Sequence, residues 1–96
     1  MVAQEWVVAQ EWEQIMKNNI KAVFIKNNKP LKSMYNIKSV VANKKYNYFE
    51  VTQVFYKRDI ISLVRFTDCD RVELYKHDEN YYQYENKPYK VVNNND

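Results

Sequence analysis

Apolar residues along this chain change their spacing once, near residue 20. Before that point Val8, Trp12, Ile15 and Met16 recur at three- and four-residue intervals. That spacing puts one stripe on a helix over 7–18, which Asn18-Asn19 would end. Residues 1–7 read as a helix extension or tail. A direct repeat, Val2-Ala3-Gln4-Glu5-Trp6 and Val8-Ala9-Gln10-Glu11-Trp12, spans this region. Six residues of helix turn Trp6 and Trp12 about 120° apart, so the copies share no face. A duplication without a role accounts for it.

From Ile20 onward the chain alternates apolar and polar residues, rich in Val, Ile, Tyr and Phe, between clusters of Asn, Asp, Lys and Pro. This pattern predicts strands over Ile20–Lys26, Leu31–Val41, Tyr46–Tyr56, Ile60–Thr67 and Arg71–Lys76. Turns are expected at Asn27-Asn28-Lys29-Pro30, Asn43-Lys44-Lys45, Lys57-Arg58-Asp59, Asp68-Cys69-Asp70 and His77-Asp78-Glu79-Asn80. Tyr46–Tyr56 has useful residues on both faces and is expected at the centre of a sheet. Tyr81–Glu85 and Pro88–Val92 read as a last hairpin, and 93–96 as a disordered tail. The fold expected is one mainly β (α+β) domain, residues 1–96. An N-terminal helix precedes a five-stranded, strongly bent antiparallel sheet or SH3/Sm-like barrel over 20–76, and a C-terminal hairpin over 81–92 follows.

Composition narrows the function classes. The chain has no Gly, which removes phosphate-cradling glycine loops and dinucleotide fingerprints. Turns must then use Asn, which tolerates the left-handed region best among the residues present. One Cys cannot form an internal disulfide, no apolar run spans a bilayer, and the N-terminus lacks a signal-peptide pattern. A cytoplasmic protein with no membrane contact is expected. The excess of Lys, Asn and Tyr over Gly and Pro fits AT-rich coding, as in a phage or mobile element; the compartment is then the host cytoplasm.

Charge changes the picture most. Residues 17–65 carry nine Lys and two Arg against Glu50 and Asp59, a net +9, whereas 1–16 and 66–96 each sum to −3. A basic block interleaved with tyrosines is a footprint for polyanion binding. Lys26, Lys29, Lys32, Lys38, Lys44, Lys45, Lys57, Arg58 and Arg65 are the candidate phosphate contacts. Tyr35, Tyr46, Tyr48 and Tyr56 are the candidate stacking residues. Lys-heavy composition favours contact with the nucleic-acid backbone over base reading; single strand and duplex stay open, as do DNA and RNA. The bland alternative is that these lysines keep sheet edges soluble and the tyrosines simply build strands.

A second aromatic group, Tyr75, Tyr81, Tyr82, Tyr84 and Tyr89, lies in the acidic third. It suits a core hairpin or, if exposed, a protein interface or homodimer. The alternative function is therefore a small phage or mobile-element inhibitor of a host protein or nucleoprotein. Asp68, Asp70, Glu73, His77, Asp78 and Glu79 cluster in sequence, but turn chemistry explains them better than a metal. Cys69 and His77 are too far apart along a strand to form a nucleophile pair. No catalytic constellation, cofactor or metal site is expected.

The order helix, strand, basic strand, aromatic strand resembles the Sm-like barrel of WYL domains over roughly residues 12–76. Ile20–Ile25 resembles the first strand and Tyr48-Phe49-Glu50-Val51 stands near the aromatic triad. Arg65-Phe66-Thr67-Asp68-Cys69-Asp70-Arg71-Val72 resembles the late Phe-Arg-Leu-Asp-Arg-Ile-type stretch. The family's Trp-Tyr-Leu and its attached helix-turn-helix are absent. The resemblance implies ligand or nucleic-acid binding without catalysis, with Arg65 and Arg71 as the residues that matter.

Overall fold

A computed structural model describes residues 19–77 and 84–95. Seven strands follow one another: β1 (Ile20–Lys26), β2 (Lys29–Met34), β3 (Ile37–Asn43), β4 (Tyr48–Phe55), β5 (Arg58–Arg65), β6 (Arg71–Lys76) and β7 (Lys90–Asn93). They form two antiparallel sheets, ordered β2-β1-β6-β7 (sheet A) and β3-β4-β5 (sheet B). There is no helix among the described residues, and so none long and apolar enough to cross a membrane. The helix expected over 7–18 lies outside the described residues.

Strand alternation builds the core. On sheet A, Ala22 and Phe24 face Leu74 and Val72 across the β1–β6 pair. On sheet B, Phe49 and Val51 sit in register with Ala42 and Val40 of β3 and with Val64 and Ser62 of β5. These inner faces meet in one cluster that also takes in Ile37 and Cys69. Phe24 and Phe49 are fully buried. The Phe66 ring packs edge-on against Phe49 at 4.8 Å between centroids, a preferred aromatic geometry.

Several expectations need correction. The sheet does not close into a barrel. The run expected as one strand over Leu31–Val41 is broken at Tyr35-Asn36, where Asn36 takes a left-handed φ of 56°. That kink carries the chain from sheet A to sheet B, so the strands of 20–76 divide between two packed layers. The turn expected at Lys57-Arg58-Asp59 falls at Tyr56-Lys57, and Arg58 and Asp59 belong to β5. In place of a separate terminal hairpin, β7 pairs with β6 and Tyr84 bridges to His77; residues 81–83 lie outside the described residues. Asn93 pairs with Arg71, and the Asn94 N–H donates to the Asp70 carbonyl at 3.2 Å. Asn93 and Asn94, expected to belong to the tail, are thus tied to sheet A.

With no Gly available, six of the described residues take positive φ: Asn27, Asn28, Asn36, Asn47, Tyr56 and Lys57. Asn27-Asn28 and Tyr56-Lys57 are two-residue hairpin loops with the φ pair of a type I′ turn, which matches strand twist. Asn accepts that region readily; Tyr and Lys do so at a cost.

Candidate nucleic-acid interface

The β3–β4 turn shows how local sequence sets the site. The Asn43 side-chain oxygen accepts the N–H groups of Lys45 (3.1 Å) and Tyr46 (3.2 Å), an Asx turn that replaces backbone partners. Asn47 then turns left-handed at φ 59°, and its carbonyl accepts the Phe66 N–H at 3.0 Å. The result is a hydrogen-bonded tip on which Lys44, Lys45 and Tyr46 are exposed. Asn43 Nδ2 donates to the Tyr48 hydroxyl at 3.3 Å. The Tyr46 and Tyr48 rings lie nearly parallel, 10° apart in plane and 6.2 Å between centroids. Lys45 Nζ stands 5.3 Å from the Tyr46 ring centroid, within cation–π range.

Register with β5 completes the site, since Tyr48 stands directly opposite Arg65. An open cleft of about 590 Å³ follows, lined by Tyr46, Asn47, Tyr48, Leu63, Arg65 and Thr67. Tyr46 is 62% exposed. No described carboxylate forms an ion pair with Lys44, Lys45 or Arg65; the ion pairs present engage Lys26, Lys38 and Arg71. One end of sheet B therefore offers two stacked phenol rings beside three cations that form no ion pair with a described carboxylate. Of the residues picked out by sequence, Lys44, Lys45, Tyr46, Tyr48 and Arg65 come together here. Asn47, Leu63 and Thr67 had no signal of their own, because the cleft depends on the β4–β5 register.

The rest of the basic block is dispersed. Tyr56 and Lys57 form the β4–β5 turn and Arg58 opens β5, at the other end of β4 and about 25 Å away by strand length. Lys38 pairs with Asp59 at 2.9 Å and Lys26 with Asp70 at 3.5 Å. Lys29 opens β2, and Lys32 lies over the Phe24 ring at 5.3 Å. Tyr35 packs against Tyr84 at 6.1 Å and its carbonyl accepts Gln53 Nε2 at 2.8 Å. The expectation of one basic, Tyr-interleaved face over all thirteen residues thus gives way to separate groups on both sheets.

Of the second aromatic group, Tyr75, Tyr84 and Tyr89 are bound into sheet A. Lys21 Nζ lies 4.4 Å from the Tyr84 centroid and 5.3 Å from that of Tyr75. His77 stacks on Tyr84 at 4.5 Å, and Lys76 lies 4.7 Å from the Tyr89 centroid. Tyr75 donates to Glu73 Oε1 at 3.0 Å, Arg71 Nε donates to Glu73 Oε2 at 3.1 Å, and Arg71 Nη1 donates to Asn28 at 3.0 Å. Partial burial, then the Glu73 contact, push the Tyr75 hydroxyl pKa up; burial does the same for Tyr84 and Tyr89. Tyr81 and Tyr82 lie outside the described residues. Arg71 is held in this network on sheet A while Arg65 lies on sheet B, so the two arginines singled out by the resemblance are on different sheets.

Asp70 and Glu73 hold the fold together. Asp70 accepts the Asn27 N–H at 2.8 Å and pairs with Lys26; that backbone bond first, and the lysine after it, hold its carboxyl below its usual range. Glu73 is engaged on both oxygens. Among the described residues no group of three His, Cys, Asp or Glu could hold a metal ion; Asp78 and Glu79 lie outside them. Cys69 is buried, its Sγ donates to the Arg71 carbonyl at 3.1 Å, and burial pushes the thiol pKa up. No known protein family, curated protein or solved structure matches the chain.

Proposed function

We propose that this chain is a non-enzymatic module that binds single-stranded nucleic acid at the Tyr46–Tyr48 end of sheet B. The observation that carries this reading is the parallel tyrosine pair, Tyr46 exposed and Tyr48 half-buried, flanked by Lys44, Lys45 and Arg65 without described ion-pair partners. Unpaired bases have open faces that stack on such rings, at about 1–3 kcal/mol per base. The cations take the phosphates on either side and release counterions. Three such contacts give a log–log salt slope of about −2 for a single strand. A duplex hides its base faces, so it would engage the lysines alone.

Fluorescence anisotropy with labelled single-stranded and duplex oligonucleotides, across a salt series, tests the reading. Tyr46→Ala and Tyr48→Ala should each weaken single-strand binding by about five- to one-hundred-fold. Reversing Lys44 and Lys45 to Glu should remove most of the salt dependence. Reversing Lys57 and Arg58, at the far end of β4, should leave affinity nearly unchanged. Absence of binding at low salt, or equal loss from both lysine sites, refutes the assignment.

A further inference from the structure

The four sheet edges are not alike. β2 carries Pro30, Lys29 and Lys32, and its register slips opposite Phe24/Ile25. β3 slips at Ile37/Ser39. β7 has only four residues and begins with Lys90. Prolines, lysines, bulges and short length all blunt an edge against pairing. β5 has none of these. It runs eight residues in unbroken register with β4, and its centre, Ile60-Ile61-Ser62-Leu63-Val64, is uncharged. Ile61 and Leu63 are 60% and 58% exposed, and Val41 on the same sheet is 55% exposed.

β5 also complements itself. Asp59, Ile61, Leu63 and Arg65 share the outer face, as their register with Val54, Thr52, Glu50 and Tyr48 requires. In an antiparallel pair of two β5 strands with the twofold axis at Ser62, Ile61 meets Leu63 of the second copy. Asp59 then meets Arg65 of the second copy, at both ends. Moving the axis to Ile61 sets Lys57 against Arg65 instead, and moving it to Leu63 sets Ile61 against Arg65. Only the Ser62-centred register matches apolar with apolar and acid with base. In the monomer Asp59 uses Oδ2 for Lys38, which leaves Oδ1 for an incoming guanidinium.

We propose that the chain forms a twofold homodimer by antiparallel pairing of β5 edges, centred on Ser62, which joins the two sheets B into one six-stranded sheet. The occupant of this edge is a second copy because both the charges and the apolar residues of β5 match in the reversed direction. Leu63 and Arg65 border both this seam and the cleft beside Tyr46 and Tyr48; the Arg65 fork has five N–H donors and can meet a carboxylate on one side and a phosphate on the other.

Sedimentation equilibrium of the full chain, over micromolar to millimolar protein, tests the proposal. The wild type should be a reversible dimer. Ile61→Lys, at an exposed position, should raise the dissociation constant by about ten-fold or more, because the twofold removes two Ile61 contacts at once. Register is read separately by oxidation. A mixture of Ile61→Cys and Leu63→Cys proteins should cross-link, and neither alone should, while buried Cys69 stays silent. Three results overturn the proposal: a monomer at millimolar concentration, a dimer indifferent to Ile61→Lys, or cross-linking of Ile61→Cys with itself.

Discussion

Tyr56 and Lys57 form a hairpin loop whose φ values, 52° and 67°, belong to the left-handed region. A non-glycine residue there gives up about 1–2 kcal/mol. Asn-Gly suits this loop best. Changing Lys57→Gly removes the steric term but loosens the unfolded chain, which returns about 0.4–1 kcal/mol. Tyr56→Asn relieves part of its own term and loses little packing, since Tyr56 is 61% exposed. The two sites are adjacent and do not add fully, so the double variant should gain about 1–2 kcal/mol. For a domain of this size that corresponds to a rise in Tm of about 4–15 °C. Urea unfolding followed by circular dichroism gives the free energy, and a thermal melt gives Tm. The reverse change, Asn27→Ala in the matching β1–β2 loop, keeps the backbone N–H bond to Asp70 and should cost about 1 kcal/mol. If the Asn-Gly variant melts at or below the wild-type temperature with an unchanged m-value, left-handed strain is not what limits this loop.

Other outcomes follow from the titratable groups. Asp70 has a depressed carboxyl pKa in the fold, first because of the Asn27 N–H and then because of Lys26. Its contribution is present above the unfolded carboxyl pKa and lost as pH falls through the lower folded value. Asp70→Asn keeps an acceptor for Asn27 but has no proton to take up, so its acid unfolding limb should be shallower than that of the wild type; equal limbs exclude the linkage. Buried Cys69, with its thiol pKa raised, should resist thiol reagents in the native protein and react fully in denaturant. Fast native labelling would contradict its place in the core.

Much of the fold was legible locally. Ile20–Lys26, rich in β-branched and aromatic residues, and Arg71–Lys76 were readable to the residue because flanking Asn, Asp and His turn residues bound them on both sides. The break at Tyr35-Asn36 was not, since both flanks are strand formers and a single left-handed Asn leaves no compositional mark. Nor was the pairing of β1 with β6, which is decided by how Phe24, Val72 and Leu74 bury together and not by either strand alone. The dispersal of the basic block had a readable cause. Successive hairpin turns of a meander lie at opposite ends of its strands, so Lys44-Lys45 and Lys57-Arg58 cannot share an end. Tyr46 and Tyr48, two residues apart, read as one face of a strand. The pair forms instead because Tyr46 belongs to the turn and its ring folds back toward Tyr48.

The order of strands in the two sheets also sets a timetable. Sheet B is assembled from one contiguous stretch, 37–65, and each of its strands pairs with its neighbour in sequence. Sheet A waits: β1 and β2 can form their hairpin at once, but β1 meets β6 only when Arg71–Lys76 has been made. At about 5–20 residues per second the ribosome takes several seconds to cross that gap. Through that interval Phe24 has no β6 against which to bury. Sheet B needs only pairing between neighbours in sequence, whereas the inner face of β1 depends on a strand made more than forty residues later.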